Sequence, residues 1–144
     1  MVEPRIAHLL HVEDDDIFQM VMSRTFKKAR IANPIVGAHD GIDALDLLRG
    51  ENGRERLPRP FVILLDLNMP RMGGIEFLKE LRRDEELKRS VVFVLTTSGA
   101  EKDKVDAYDL GVAGYILKSG SANPFLETTA LLEIYWRVVE LPTE

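Results

Sequence analysis

Five side chains in this sequence have the types needed to handle a phosphoryl group: the carboxylates of Glu13, Asp14 and Asp66, the hydroxyl of Thr96 and the ammonium of Lys118. Each follows an apolar run. A carboxylate at the mouth of an apolar strand is costly to desolvate unless a cation or a donor meets it there. Three carboxylates brought together repel one another, and a hard divalent cation resolves the conflict. Mg²⁺ takes oxygen ligands, keeps several waters, and uses one or two carboxylates together with phosphate. The chain has no Cys and few His, which argues against zinc. An aspartate beside Mg²⁺ can act as a nucleophile and take a phosphoryl group as a mixed anhydride. Of the three equatorial oxygens, Mg²⁺ would take one, Lys118 a second and Thr96 a third.

The elements that must position these groups are legible as hydrophobic pattern. Phe61–Leu65 reads as a strand buried on both faces that delivers Asp66 into the turn LNMPRMGG. Ile6–Val12 reads as the first strand and ends in the cluster Glu13, Asp14, Asp15, Asp16. Asp15 or Asp16 caps a helix through Ile17, Phe18, Met20, Val21, Met22, Phe26 and Ala29, and Asn33-Pro34 breaks it. Ile35–Ala38 makes a short second strand. Asp40-Gly41 opens a second helix with Ile42, Leu45 and Leu48 on one face and Gly50 closing it, and ENGRERLPRP, Glu51–Pro60, reads as a surface loop. After the Asp66 turn, a third helix carries Ile75, Phe77, Leu78 and Leu81. Val91–Leu95 is a fourth strand before Thr96, and Glu101–Leu110 a sparsely apolar fourth helix, expected to be weakly anchored. Gly114–Leu117 is a fifth strand before Lys118, and Asn123-Pro124 opens a last helix to Leu141.

Five β-then-α units predict a doubly wound α/β fold, a five-stranded parallel sheet with helices on both faces. Such sheets bind ligands at the carboxyl ends of their strands. With strand order 2-1-3-4-5, the first and third strands are neighbours, and the acidic pair comes beside Asp66.

The 144 residues fit one domain, 1–144, with a net charge of −5 that disfavours a sequence-independent grip on nucleic acid. No apolar run has transmembrane length, and the opening MVEPRIAHLLHVEDD does not read as a signal peptide. His8 and His11 lack a partner at ligand spacing and read as packed histidines. Neither G-x-x-x-x-G-K nor G-x-G-x-x-G occurs.

VEDD at Val12–Asp15, LLDLNMPRMGG at Leu64–Gly74, LTTS at Leu95–Ser98 and GYILK at Gly114–Lys118 together resemble the receiver domain of two-component response regulators, a flavodoxin-like, CheY-like fold. Asp66 lies 52 residues after Asp14, Thr96 30 after Asp66, and Lys118 22 after Thr96. The resemblance implies that Asp66 is the phosphoacceptor and that Glu13, Asp14, Asp66 and the main-chain carbonyl of Asn68 hold Mg²⁺. It also implies that Thr96 and Tyr115 form a switch pair and that Lys118 binds the phosphoryl group. A new dianion on Asp66 would draw the Thr96 hydroxyl and vacate space for the Tyr115 ring. The family has Pro directly after the lysine, through a cis bond in many members; here Ser119 follows, so the loop either takes another path or stores strain.

The tail FLETTALLEIYWRVVELP resembles a single-domain branch coupled to phytochrome-type histidine kinases. That resemblance implies a cytoplasmic phosphorelay protein without an output domain, a light-regulated kinase as phosphodonor, and dimerisation through the last helix. The kinase is expected to dock on the first helix near Phe18 and Met22. On the last helix, Phe125, Leu132, Trp136 and Val139 form one apolar row, and Leu131, Ile134 or Tyr135, Val138 and Leu141 a second. One row covers the sheet; the surplus is either packed locally or buried in a symmetric homodimer through Leu131, Tyr135, Trp136, Val138 and Leu141. Two other readings compete. An Mg²⁺-dependent aspartyl-phosphate phosphohydrolase commonly needs a second acid two residues after its nucleophile, where this chain has Asn68. A receiver serving only as a phosphate sink or scaffold is not separable on sequence.

Overall fold

Phe61–Leu65 is a strand with all five residues buried, and the molecule is layered around it. The computed structural model describes residues 6–144, so Met1–Arg5, part of the opening read for a leader, lies outside them. In chain order the elements are β1 His8–Val12, α1 Asp16–Lys28, β2 Ile35–Ala38, α2 Gly41–Arg49, β3 Phe61–Leu65, α3 Gly74–Arg83, β4 Val91–Thr96, α4 Glu101–Asp109, β5 Gly114–Leu117 and α5 Pro124–Val138. The sheet is parallel throughout, in order β2-β1-β3-β4-β5. Register places Val12 opposite Leu65, so Glu13 and Asp66 leave adjacent strands side by side.

Strand alternation divides the core in two. Leu10, Val12, Ile63, Leu65, Val92 and Val94 face α2, α3 and Ala107 of α4, while Leu9, Val62, Leu64, Phe93 and Leu95 face Met22 and Phe26 of α1 and Leu132 of α5. Gly74, the first residue of α3, is required by crowding: a Cβ there would lie 2.7 Å from both the Asp66 carbonyl oxygen and Leu67 Cα. At the opposite end of the sheet from Asp66, the Arg82 guanidinium donates to the carbonyls of Leu110, Gly111, Lys88 and Ser90 at 2.6, 3.1, 2.9 and 2.7 Å.

Several expectations are corrected in detail. Ile6 lies before β1 and is 63% exposed. On α2 the inward positions are Ala44, Leu45, Leu47 and Leu48, and Ile42 points outward, because positions 42, 45 and 48 drift around a helix of 3.6 residues per turn. The loop before β3 is not wholly superficial: Leu57 is buried in the core. Met22 is fully buried and so cannot meet a kinase; the exposed apolar residues of α1 are Ile17 and Met20. Helix α5 ends at Val138, three residues short of Leu141, where Val139 turns extended at φ −94°, ψ 134°. Within α4 only Ala107 is buried, in keeping with its sparse pattern.

Candidate functional site

Glu13, Asp14, Asp66, Thr96 and Lys118 converge at the carboxyl ends of β1, β3, β4 and β5. Glu13 N–H donates to the Ala38 carbonyl and Asp66 N–H to the Val12 carbonyl, continuing the sheet ladder one step past each strand. The ladder therefore fixes the backbone from which both carboxylates spring. Asp15 caps α1, its Oδ1 accepting from Ile17 N–H at 2.8 Å and Phe18 N–H at 3.3 Å, which leaves Asp14 exposed at the rim. Glu13, Asp14 and Asp66 each offer a carboxylate oxygen, all within 4.8 Å of one another.

Asp66 sits almost fully buried between two donors. The Thr96 hydroxyl donates to its Oδ1 at 2.9 Å, and Lys118 Nζ stands 3.7 Å from its Oδ2. Lys118 is closer to Glu13 Oε1, at 2.6 Å, in a pair whose side chains are 7% and 1% exposed. The ammonium also lies 4.1 Å from the centroid of the Phe18 ring. Burial pushes the Glu13 carboxyl up to about 7 against the pull of the Lys118 ammonium, and Asp66 adds repulsion. Burial and the same ammonium hold the His11 imidazole down to about 4, so it is neutral at pH 7.

This donor set fits a hard divalent cation. Three crowded carboxylates, one of them resisting ionisation, are a charge conflict that a dication relieves, and the Lys118–Glu13 pair is the protein's own partial substitute. Asn68 is exposed, and its N–H points at Asp66 Oδ1 from 3.4 Å.

The Thr96 hydroxyl points inward, onto the Asp66 carboxylate. Half-buried Tyr115 packs beside the core, and its hydroxyl donates to the Ser98 carbonyl at 2.8 Å; Ser98 Oγ in turn donates to Asp103 Oδ2 of α4 at 2.5 Å. The Lys118–Ser119 loop is simpler than the departure from the family pattern suggested. Among the described residues the cis peptide bond is Arg59–Pro60, so Lys118–Ser119 is trans, and Gly120 N–H closes a turn on the Leu117 carbonyl.

The five residues expected on a dimer face divide. Leu131 and Val138 are exposed, together with Leu126 and Ile134, whereas Tyr135, Trp136 and Leu141 pack partly against the molecule's own core. Tyr135 meets Phe93 edge-on at 4.9 Å. Two contacts at the site, one on Lys118 and one on Asp40, have no signature in the sequence. The first is with the Phe18 ring, 100 residues from Lys118. The second is the Asp40–Arg71 pair, at 2.6 Å, which with the Gly41 N–H bond to the Met72 carbonyl ties the loop after Asp66 to the start of α2.

No helix among the described residues is long and apolar enough to cross a membrane. The sequence is 35% identical over 135 residues to the response regulator Rcp1 of Synechocystis sp., covering 93% of this chain and 92% of Rcp1. The Mn²⁺-bound form of Rcp1 superposes with a TM-score of 0.82 at 34% identity, over 96% of this chain and 99% of that one. The phosphorylated cyanobacterial phytochrome response regulator RcpA gives 0.85 at 34% identity, with the same coverage. The bacteriophytochrome response regulator AtBRR gives 0.73 at 31% identity, over 95% of this chain and 99% of AtBRR. Residues 9–130, from the second residue of β1 into α5, match the response regulator receiver domain, and with the carboxylates, Thr96 and Lys118 gathered as described the chain belongs to that family.

Proposed function

We propose that this receiver takes a phosphoryl group on Asp66 from the phosphohistidine of a phytochrome-type histidine kinase, in an Mg²⁺-dependent step, and signals through protein contacts. The observation that carries this reading is Asp66 itself, a buried carboxylate with a hydroxyl at 2.9 Å, an ammonium at 3.7 Å and two further carboxylates within 4.8 Å. An Asp66 oxygen attacks phosphorus, the P–N bond breaks, and its electron pair leaves with the imidazole nitrogen, which then takes up a proton. Glu13, Asp14, Asp66 and the Asn68 carbonyl would hold Mg²⁺, which would supply positive charge against the phosphoryl group. Lys118 and Thr96 hold two of its oxygens. The same groups assist hydrolysis of the acyl phosphate, so the protein promotes its own dephosphorylation. The resemblance to RcpA and AtBRR supports a phytochrome-type donor in the cytoplasm, and exposed Ile17 and Met20 beside the site suit its docking. The exposed row Leu126, Leu131, Ile134 and Val138 of α5, edged by Tyr135, Trp136 and Leu141, supports a homodimer through that helix.

The test is intact mass after incubation with acetyl phosphate. One phosphoryl group is expected with Mg²⁺ and none without it or in Asp66→Asn. If neither an adduct nor binding of beryllofluoride is seen, Asp66 is not a phosphoacceptor.

A further inference from the structure

On the reading of Asp66 as phosphoacceptor, we infer that Phe18 is a positioning residue for phosphoryl transfer: its ring is the seat on which the Lys118 ammonium moves between Glu13 and Asp66. The ammonium has three N–H groups and little water, since the side chain is 7% exposed. One N–H is committed to Glu13 Oε1 at 2.6 Å, and Asp66 Oδ2 at 3.7 Å is beyond direct hydrogen-bond reach. The remaining side is covered by the Phe18 ring at 4.1 Å, whose negative face attracts a cation.

A ring face differs from a carboxylate in one respect that matters for transfer. It has no lone pair to be given up, so the ammonium can swing from Glu13 toward an oxygen on Asp66 without breaking a directional bond to its support. Glu13 alone would hold Lys118 away from Asp66. Nor is the ring free to wander. Phe18 stands in the first turn of α1, where Asp15 Oδ1 fixes its N–H at 3.3 Å, and its ring packs on Phe125 of α5 at 5.6 Å and 38°. The acidic stretch that offers the metal ligands thus also starts the helix that aims Phe18 at Lys118.

A ring serving only as packing would be replaceable by Leu. The test is a double-mutant cycle on the initial rate of phosphoryl incorporation from acetyl phosphate with Mg²⁺. Phe18→Leu is expected to slow the rate about tenfold, the factor that a partly desolvated cation–π contact is worth. Phe18→Tyr restores most of it. In a Lys118→Met background the Phe18→Leu change is expected to matter less than about twofold, because the charge it served is gone. An unchanged rate in Phe18→Leu, or the same tenfold drop in both backgrounds, overturns the inference. Should Phe18→Leu prove unfolded by circular dichroism, Phe18→Met carries the same expectation. Wild-type protein that neither takes up a phosphoryl group nor binds beryllofluoride contradicts the Asp66 reading instead. Melting temperatures in EDTA then decide the contact: losses in Phe18→Leu and Lys118→Met that exceed the loss in the double variant support it, and strictly additive losses overturn it.

Discussion

Lys118→Met removes the ammonium from its pair with Glu13 and leaves a carboxylate that is 1% exposed without its partner. At 2.6 Å the lost attraction is about 6 kcal/mol with an effective dielectric of 20. The lysine's own desolvation cost disappears with it, and breaking a buried pair from one side costs about 3–5 kcal/mol net. We therefore expect a loss of about 3 kcal/mol at pH 8 in EDTA, equivalent to a melting temperature lower by about 10 °C. The pH dependence identifies the cause. Burial raises the Glu13 carboxyl from 4.5 to about 7 even with Lys118 pulling it down, so without Lys118 it rises further. A carboxyl whose folded pKa exceeds its unfolded one binds more protons in the folded state. Its contribution is present below about 4.5 and is lost as pH climbs through about 7. At pH 5.5 Glu13 in the variant is protonated, and the expected loss falls to about 1 kcal/mol, a single weakened buried hydrogen bond. Urea unfolding at pH 5.5 and 8.0, with EDTA and with Mg²⁺, measures all of this; Mg²⁺ at pH 8 is expected to restore part of the loss, replacing the missing positive charge. An equal loss at both pH values would refute the electrostatic argument and leave packing as the explanation.

Mg²⁺ affinity, followed by titration calorimetry, is expected to weaken about tenfold per pH unit below about 7, because Glu13 must give up its proton to ligate the ion; a flat profile from pH 5.5 to 8 would remove Glu13 from the ligand set. Gly74→Ala drives a methyl against the Asp66 carbonyl and Leu67 Cα, both backbone at 2.7 Å, and is expected to cost about 1–3 kcal/mol in thermal unfolding while slowing phosphorylation of Asp66. Ile134→Asp, at a position 54% exposed, is expected to leave folding stability within about 0.5 kcal/mol and to convert a dimer into a monomer by light scattering; a dimer that survives it does not use this face of α5.

The strands were legible because each is a short apolar run, four of the five lead into a carboxylate, hydroxyl or ammonium, and a parallel sheet aligns such ends by its register. Val12 opposite Leu65 is all that is needed to bring Glu13 to Asp66. Helix faces were less legible where apolar residues outnumber one stripe. On α2, Ile42 continues the expected spacing yet points outward, and the small residue Ala44 takes the buried place. On α5 the outward and inward rows interleave, and Tyr135 turns in because Phe93 on β4 offers an edge-on aromatic contact. The Phe18 seat of Lys118 and the Asp40–Arg71 tie depend on side-chain direction across crossovers, which no local pattern encodes.

The Arg82 guanidinium gives the molecule an axle. By holding the carbonyls of Leu110 and Gly111 just past α4 to those of Lys88 and Ser90 before β4, it fixes the far end of α4. The near end is joined to the site by Ser98, through its bonds to Asp103 and Tyr115. A rod of nine residues clamped at one end is a lever. At 1.5 Å per residue it is about 14 Å long, so a tilt of about 10° about Leu110 carries its free end over 2 Å. A shift of Ser98 or Tyr115 would therefore act on the unclamped end of α4, with exposed Val105 and Tyr108, nearer the clamp, swinging through smaller arcs.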